Sequence, residues 1–363
     1  MPIVQNYLKK LVSFKTITGN HAETEKSFEW IKSILKGLPL YFREYSSNGF
    51  PSLVISTRKT KKPDIILYAH IDVVPADDFL FLAQLKGNRM YGRGTYDMKS
   101  GLACYIKLFK DLGKNLKKYS LAMMVTSDEE VGGEDGARYL LENIGYKSKV
   151  AFLPDSISPD GPWQVETIAK GVMFLKLSSY GKHSHGSRPW EGNNALSDAI
   201  DFLTNLSFLN KKYNNKKFSS TASVNVFHSG EFPNQVPNHA KVIIDIRFSS
   251  VKDKQKILRT IRQGLEEYRN IKMEVTTERN LHKTSLNNKY VKKYEIAIND
   301  VYKKRVEELH SHGSSDATFF SKHKIATIVA SPAGGCRHSN KEFVYVGDLD
   351  KFVSVLRRYI ENF

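Results

Sequence analysis

The sequence lacks the features that mark several classes of protein. It has two cysteines in 363 residues, Cys104 and Cys336, which are too few and too far apart to predict a disulfide framework. No apolar run approaches the ~20 residues that a membrane span needs. The first residues, MPIVQNYLKKLVSF, do not show a signal peptide's order of basic start, apolar run and small-residue cleavage site. These absences predict a cytoplasmic protein with no membrane partner.

The composition excludes disordered and collagen-like chains. The sequence is 40% hydrophobic and 11% aromatic, which is ordinary for a globular protein. It has no internal repeat and no low-complexity tract. A chain of this length can bury a large core without disulfides, and at ~100–200 residues per domain it predicts two domains.

The charge is strongly positive, and by itself it permits several functions. Lysine and arginine number 55 against 38 acidic residues, for a formal net charge of +17. Such a balance fits a nucleic-acid binder, a membrane-surface protein or an enzyme that attracts anions. The lysines, however, are scattered as pairs such as Lys117-Lys118 and Lys303-Lys304, whereas nucleic-acid binding predicts clustered basic residues interleaved with aromatics. A nucleic-acid partner is therefore a remote alternative.

Residues 1–170 alternate between short apolar runs and amphipathic segments. The runs predict strands at 52–57, 64–69, 120–126 and 150–153, and the amphipathic segments predict helices at 24–36, 99–112 and 135–144. Short buried strands that alternate with helices favour a mostly parallel sheet covered on both faces. We therefore predict an α/β fold for this part of the chain.

Residues 171–278 have a different order of elements. We predict strand 172–180, helix 194–207, strands 221–228 and 240–248, helix 253–268 and strand 271–276. This βαββαβ order is typical of the ferredoxin-like arrangement. Residues 279–363 return to the earlier style, with helices 286–303 and 349–361 around the apolar run 325–330. The sequence thus predicts an α/β domain in residues 1–170 and 279–363, with an α+β domain inserted at 171–278.

Histidine and carboxylate residues lie where the predicted strands end. The run IILYAH ends in His70, SLAMMVT is followed by the acidic residues 128–130, and VAFLPD ends in Asp155. Asp97 lies in a turn just before a helix, and the run IATIVASPAGGCRH ends in His338. Because ligands of open α/β sheets bind outside the carboxyl ends of the strands, we expect these side chains to converge.

The donor types indicate the chemistry of such a site. Imidazole and carboxylate without thiolate suit Zn²⁺, Co²⁺ or Mn²⁺. Five ligands with one shared carboxylate are enough for two ions ~3.5–4 Å apart, as in many hydrolases. Taken singly, each residue also has an ordinary structural explanation: Asp97 can cap the following helix, Asp155 can belong to a turn, and His70 or His338 can be a structural or surface histidine. Their convergence favours the metal site.

Seven segments resemble, in order, the co-catalytic dinuclear-zinc metallopeptidase family. They are YAHIDVVP, GRGTYDMKSG, TSDEEVGGEDGA, GKHSHGSRPWEGNNAL, PNQVPNHAKVIIDIRF, GSSDATFF and GGCRHSNKEFVYV. This family contains aminoacylase, acetylornithine deacetylase, succinyl-diaminopimelate desuccinylase, glutamate carboxypeptidase, tripeptide aminopeptidase and carnosinase-type dipeptidases. The resemblance implies a zinc-exopeptidase-like α/β domain with an inserted ferredoxin-like lid and dimerisation domain.

The resemblance also implies two divalent ions, with zinc as the first choice and cobalt or manganese as alternatives. Asp97 would bridge them, and the peptide bond that follows it, to Met98, would be cis. The other ligands would be His70, Asp155, Glu130 and His338, with Glu130 and His338 on the same ion. Aspartate at position 155 resembles the aminopeptidases and dipeptidases, whereas glutamate is commoner in the deacylases and carboxypeptidases.

Further roles follow from the same motifs. Asp72 would orient His70 through its second ring nitrogen, and Glu129 would be the general base for a water that bridges the metals. His185 would stabilise the oxyanion from the partner subunit of a homodimer. Arg247 and Asn234 would hold the carboxylate and carbonyl of the substrate, although Arg247 could instead form a structural ion pair with the nearby Asp245.

We therefore expect a metal-dependent hydrolase that cleaves the amide bond of a short peptide or N-acyl amino acid with a free carboxylate. The sequence permits two types of enzyme: a dipeptidase or exopeptidase, and an N-acyl amino acid deacylase. A non-catalytic binding protein on this fold is a remote alternative, since loss of Glu129 or of a ligand would have supported it and neither is lost.

Overall fold

The computed structural model describes residues 2–206, 209 and 218–363. They form two compact units. The first comprises Met1–Ile168, His282–Ser311 and Ser315–Phe363, and the second comprises Ala169–Leu281 with His312–Ser314. In the described part of the chain, no helix is both long and apolar enough to cross a membrane.

The helices and strands of the described residues follow in chain order. The helices are α1 (Ile3–Ser13), α2 (His21–Leu35), α3 (Lys99–Leu112), α4 (Tyr139–Glu142), α5 (Ala195–Asn205), α6 (Val251–Leu265), α7 (Lys289–Tyr302), α8 (Ala317–Lys322) and α9 (Val346–Glu361). The strands are β1 (Tyr41–Ser47), β2 (Phe50–Ser56), β3 (Ile65–His70), β4 (Gln84–Lys86), β5 (Arg89–Tyr91), β6 (Leu121–Thr126), β7 (Val150–Leu153), β8 (Gln164–Ala169), β9 (Gly171–Tyr180), β10 (Ser184–His185), β11 (Thr221–Ser229), β12 (Gln235–Val236), β13 (His239–Phe248), β14 (Ile271–Arg279), β15 (His282–Lys283), β16 (Glu307–Ser311), β17 (Ala326–Val329), β18 (Gly334–Gly335) and β19 (Phe343–Tyr345).

The first unit is built on one large sheet. Its strands are ordered β1-β2-β6-β3-β7-β17-β8-β15, and β16 pairs with β8. The central strands β6, β3, β7 and β17 run parallel, whereas β1, β2 and β8 pair antiparallel with their neighbours. Because these central strands are parallel, their carboxyl ends lie at the same edge of the sheet. The sequence predicted the metal site at this edge.

Both faces of this sheet are covered. Along β3, Ile65 and Leu67 belong to a core shared with α1, α2, α3, α7 and α9. Ile66 and Tyr68 point the other way, into a core shared with α4 and α8. The strand is buried throughout, as parallel strands between two helical layers are. The predicted α/β fold is confirmed.

The second unit has an antiparallel sheet of its own. Its strands are ordered β11-β13-β9-β14, and its core includes residues from α5 and α6. Strand β13 alternates buried and partly exposed residues, because only one face of the sheet is packed against helices. The elements follow the predicted βαββαβ order, with the short β10 and β12 added.

Two local expectations differ from the structure. Strand β1 is not among the predicted elements; it forms a hairpin with β2, and its largely exposed residues carry no apolar period. The predicted helix 135–144 is a π-helical turn at Glu134–Arg138 followed by the short α4. The Asp128 carboxylate accepts hydrogen bonds from the backbone amides of Asp135 and Gly136, which ties this first turn to the loop after β6.

Candidate metal centre

The first unit brings the five predicted ligands together. His70 ends β3, Asp155 follows β7, and Glu130 follows β6. Asp97 lies between β5 and α3, and His338 lies in the loop between β18 and β19. The backbone of His338 has φ +61°, a left-handed conformation that is uncommon outside glycine. The residue with this strained backbone conformation is therefore the one whose imidazole lies beside Asp97.

Asp97 is the centre of the cluster. Its Oδ1 lies 3.2 Å from Nε2 of His70, and its Oδ2 lies 3.0 Å from Nε2 of His338. The same His338 nitrogen lies 3.2 Å from Oε2 of Glu130. Ligand atoms of His70, Asp97 and Asp155 fall within 4.8 Å of one another, as do those of Asp97, Glu130 and His338. One carboxylate therefore joins two groups of three potential ligands.

The cluster fits two divalent ions. Ligands ~2.0–2.1 Å from a tetrahedral ion are about 3.3 Å apart, close to the 3.0–3.2 Å between the atoms around Asp97. The donors are imidazole nitrogens and carboxylate oxygens, as zinc, cobalt and manganese prefer. Asp97 and Asp155 are also buried, and buried carboxylates in proteins are paired with cationic side chains or coordinate metals.

Asp72 fixes the orientation of His70. Nδ1 of the imidazole lies 3.0 Å from the backbone oxygen of Asp72 and 3.4 Å from its Oδ1. Both oxygens accept hydrogen bonds, so Nδ1 carries a proton and donates it. Nε2 is then the nitrogen that faces Asp97 and can bind a metal, because orientation of the ring sets which nitrogen is free.

The Asp72 carboxylate also positions the two glutamates after β6. Its Oδ1 accepts from the backbone amide of Glu129 at 3.3 Å, and its Oδ2 accepts from that of Glu130 at 3.2 Å. Thr18 donates to Oδ2 as well, at 2.9 Å. One side chain therefore sets both His70 and the start of the glutamate turn.

The charges of the cluster shift the pKa of each member in a definite direction. Burial would raise the pKa of Asp97, but Arg337, His338 and His70 hold it well below its usual value. Hydrogen bonds to Asp97 and Glu130 raise the pKa of His338 to about 10. Burial, with the nearby charge of Asp155, raises the pKa of Glu129 well above its usual value. The carboxylate of Glu129 therefore binds a proton more readily than an ordinary glutamate does, which suits an acid–base residue.

Glu342 is a further residue of the site, to which the sequence analysis gave no role. Its Oε1 accepts from the backbone amides of Tyr96 and Asp97 at 2.9 and 3.0 Å, and its Oε2 accepts from Gly94 at 3.1 Å and from Arg93 at 2.8 Å. The turn that carries Asp97 is therefore wrapped around this carboxylate. The glutamate belongs to the motif GGCRHSNKEFVYV, four residues after His338, which was its only signal in the sequence.

The peptide bond between Asp97 and Met98 is cis, as the resemblance implied.

Arg337 is the other side chain that the sequence analysis did not single out. Its guanidinium Nη1 lies 2.8 Å from Oδ1 of Asp155, and its Nε lies 3.2 Å from Oδ2 of Asp97. A guanidinium therefore lies within the ligand cluster, next to Asp97 and Asp155.

The remaining predicted residues lie in the second unit. His185 and Asn234 line one cavity of about 340 Å³, and the backbone amide of Gly186 donates to the oxygen of Asn234 at 2.7 Å. Arg247 is not among the residues that line this cavity. It forms a two-pronged ion pair with Asp245, at 2.7 and 3.0 Å, so the structural alternative for this arginine is present.

His185 is exposed, and its tautomer can be assigned. The backbone amide of Ser187 donates to Nδ1 at 3.1 Å, so this nitrogen is an acceptor and carries no proton. In the neutral ring the proton is then on Nε2. The exposed side of the imidazole therefore presents a hydrogen-bond donor.

Known proteins share both the sequence pattern and the fold. Residues 66–362 match the profile of peptidase family M20/M25/M40. An uncharacterised metallohydrolase of Methanocaldococcus jannaschii is 25% identical over 97% of this chain and 96% of its own length. A succinyl-diaminopimelate desuccinylase of Nautilia profundicola is 25% identical over 99% of each chain.

Solved structures with low sequence identity show the same fold. An aminopeptidase of Bacillus cereus superposes with a TM-score of 0.80 at 19% identity, covering 99% of this chain and 97% of its own. An M20 metallo-carboxypeptidase of Sulfolobus solfataricus gives 0.80 at 18% identity, covering 99% of both chains. The mostly parallel sheet and the additional smaller sheet are thus a known combination.

Proposed function

The chain belongs to peptidase family M20/M25/M40, and we propose that it is a two-metal hydrolase that cleaves the amide bond of a short peptide or N-acyl amino acid with a free carboxylate. One observation carries the proposal: the carboxylate of Asp97 contacts both His70 and His338, one through each oxygen. A carboxylate that faces one imidazole with each oxygen can serve two ions ~3.5–4 Å apart, the spacing of two-metal hydrolases.

The proposed ligands divide into two groups around Asp97. His70 and Asp155 would complete one group, and Glu130 and His338 the other. We propose zinc for both ions, with cobalt or manganese as alternatives, on the strength of the nitrogen and oxygen donors. Divalent ions bound there would polarise the scissile carbonyl and make a water molecule more acidic.

Glu129 is proposed as the general base. The described residues include no hydrogen-bond donor to its carboxylate, and its backbone is fixed by Asp72. Such a carboxylate can take the proton of the attacking water and then pass it to the departing amine.

His185 is proposed to donate a hydrogen bond from Nε2 to the oxyanion. The assigned tautomer supports this role because Nε2 carries the proton. We propose that the histidine acts on the partner subunit's site in a homodimer, with residues 171–278 as the lid and dimerisation domain. Asn234, which lines the same cavity, would bind the substrate carbonyl.

Arg247 is the proposed partner of the substrate carboxylate. Its guanidinium already donates two hydrogen bonds to the carboxylate of Asp245. A substrate carboxylate would have to share or replace those contacts. The alternative of an N-acyl amino acid deacylase is favoured by the relatives named succinyl-diaminopimelate desuccinylase, whereas Asp155 in the sequence favours a dipeptidase. We place the enzyme in the cytoplasm, as the sequence predicts.

A hydrolysis screen tests the proposal. The zinc-loaded protein would be assayed against dipeptides and against N-acetyl, N-succinyl and N-formyl amino acids, each with a free or an amidated carboxylate. We expect turnover in one of these classes, abolished by chelation, and lost when the carboxylate is amidated. Equal turnover of the free and amidated forms would contradict the proposed role of the carboxylate.

A further inference from the structure

A fully buried carboxylate, that of Asp316, has no role in the proposed mechanism. It lies in the segment GSSDATFF, immediately before α8. Its Oδ2 accepts a hydrogen bond from the hydroxyl of Tyr68 on β3, and the same hydroxyl lies 2.6 Å from Oγ1 of Thr126 on β6. Asp316 therefore connects α8 to the two strands that lead to His70 and to the glutamates.

The same carboxylate lies against the end of the glutamate turn, residues 129–133. A Cβ on Gly133 would lie 1.9 Å from Oδ1 of Asp316, so the carboxylate occupies the space that any side chain at this position would need. Backbone hydrogen bonds close the turn, from Gly132 to the oxygen of Glu129 at 2.9 Å and from Gly133 to that of Asp128 at 2.8 Å. Gly133 also has φ +67°, which glycine adopts without strain. Both the backbone and the contact with Asp316 therefore require glycine here.

We propose that Asp316 is a positioning residue: its carboxylate, held by Tyr68, packs against Gly133 and fixes the end of the glutamate turn. The start of this turn is fixed by Asp72, which accepts from its first two backbone amides. The two carboxylates together set where the side chain of Glu129 lies. The effect of Asp316 on turnover rests on the proposed function, whereas its effect on the turn does not.

Hydrogen–deuterium exchange, followed by mass spectrometry, tests the inference without a substrate. In Asp316→Ala the turn loses the carboxylate that packs against it, so the amides of residues 131–133 should exchange about ten- to a hundredfold faster. The amides of α9, away from the turn, should keep their native rates. Asp316→Asn keeps the size of the side chain and an oxygen that can accept from Tyr68, and should restore most of the native protection.

A double-variant comparison tests the contact between Asp316 and Gly133 directly. Gly133→Ala pushes a methyl group into the carboxylate and strains the backbone, so it should lower the urea midpoint of unfolding. In the Asp316→Ala background the methyl group has room, so Gly133→Ala should lower the midpoint much less. Equal shifts in the two backgrounds would show that the two residues are not coupled, and would overturn the inference.

Turnover connects the turn to the reaction. Asp316→Ala, saturated with zinc, should lose up to ~10²-fold in kcat, since a displacement of ~1 Å at a catalytic group can cost that much. KM should change little, and Asp316→Asn should recover most of the rate. The assay uses the dipeptide or N-acyl amino acid that the hydrolysis screen identifies.

Tyr68→Phe replaces Asp316→Ala in these experiments if the latter does not fold. It removes the hydroxyl that donates to Asp316 and keeps the ring, so exchange in residues 131–133 should again rise. Tyr302→Phe is the matched control, because its hydroxyl also donates to a buried carboxylate, that of Asp348, at 2.5 Å. This control should leave the exchange of the glutamate turn unchanged.

The outcomes separate the inference from the function. Native exchange of residues 131–133 in a folded Asp316→Ala or Tyr68→Phe variant overturns the inference, as does an equal rise throughout the chain, which would indicate only a global loss of stability. Faster exchange of the turn with native kcat overturns the positioning role in the reaction. If the turn exchanges faster as expected but the native protein hydrolyses none of the screened substrates, the contact is upheld and the proposed function is wrong.

Discussion

Glu129 and Glu130 are adjacent in sequence, yet their side chains have different surroundings. Glu130 pairs with His338, whereas burial, together with the nearby charge of Asp155, raises the pKa of Glu129. We expect Glu129→Gln to keep both metal ions and lose ~10²–10⁴-fold in turnover, since a positioned base typically contributes that much. We expect Glu130→Gln to lose metal. Metal analysis and kcat, measured on both variants, check the pair; equal metal loss with equal residual rates would contradict the two roles.

His282 predicts a pH dependence of stability away from the metal cluster. Its Nδ1 is within hydrogen-bond distance of Ser321 and its Nε2 of the backbone oxygen of Glu166, and burial lowers its pKa from 6.5 to about 4. Between these two values the unfolded chain binds a proton that the folded chain does not. The free energy of unfolding should therefore fall as the pH drops through this window, by up to about 3 kcal/mol.

Denaturant unfolding between pH 4 and pH 7 checks this prediction. His282→Gln keeps an amide for the same hydrogen bonds and removes the titrating ring, so its stability should decline less steeply on acidification. His239→Gln, at the exposed first position of β13, is the control and should follow the native slope. Parallel slopes for the native chain and His282→Gln would contradict the account of the buried histidine.

At the scale of elements, the strand ends were the most predictable part of the protein. Apolar runs indicated β3, β6, β7 and β17, and these strands do run parallel side by side. The hairpin strand β1 was not predicted because its residues, YFREYSS, do not alternate between apolar and polar, and none of them is buried. The contacts of Glu342 and Arg337 could not be predicted either. They join residues about 180 to 250 positions apart in the sequence, and no local pattern indicates which carboxylate pairs with which donor.

The packing of α3 against the loop after β7 predicts a sensitive glycine. A Cβ on Gly101 would lie 2.1 Å from Cγ of Pro154, the residue before Asp155. Gly101→Ala should therefore push the helix and the loop apart, at a cost of ~1–3 kcal/mol in the free energy of unfolding, and should weaken metal binding by displacing Asp155.

Gly347→Ala is the matched control for this change. Gly347 lies in α9, and a Cβ there would meet nothing within 4 Å. Alanine should stabilise the helix by up to ~1 kcal/mol and leave metal binding unchanged. Urea unfolding and metal titration of both variants measure the contrast, and similar small effects at the two positions would contradict the packing argument.

At the scale of the whole molecule, the proposed homodimer makes a prediction about His185. His185→Ala should lower turnover ~10²–10³-fold with the metals retained, as loss of an oxyanion donor typically does. If the histidine acts in the partner's site, mixing His185→Ala with Glu129→Gln should restore part of the activity, because each mixed dimer holds one intact site. No recovery in subunits shown to exchange would refute the arrangement while leaving the metal chemistry untouched.

The central claim is that one carboxylate, Asp97, joins two metal ions. The direct measurement is the zinc content per chain after loading and removal of excess metal, in the native protein, in Asp97→Ala and in the exposed control Asp300→Ala. We predict two ions in the native protein and in the control, and the loss of both from Asp97→Ala, since each group of ligands depends on that side chain. An Asp97→Ala variant that retains two ions per chain would contradict the account.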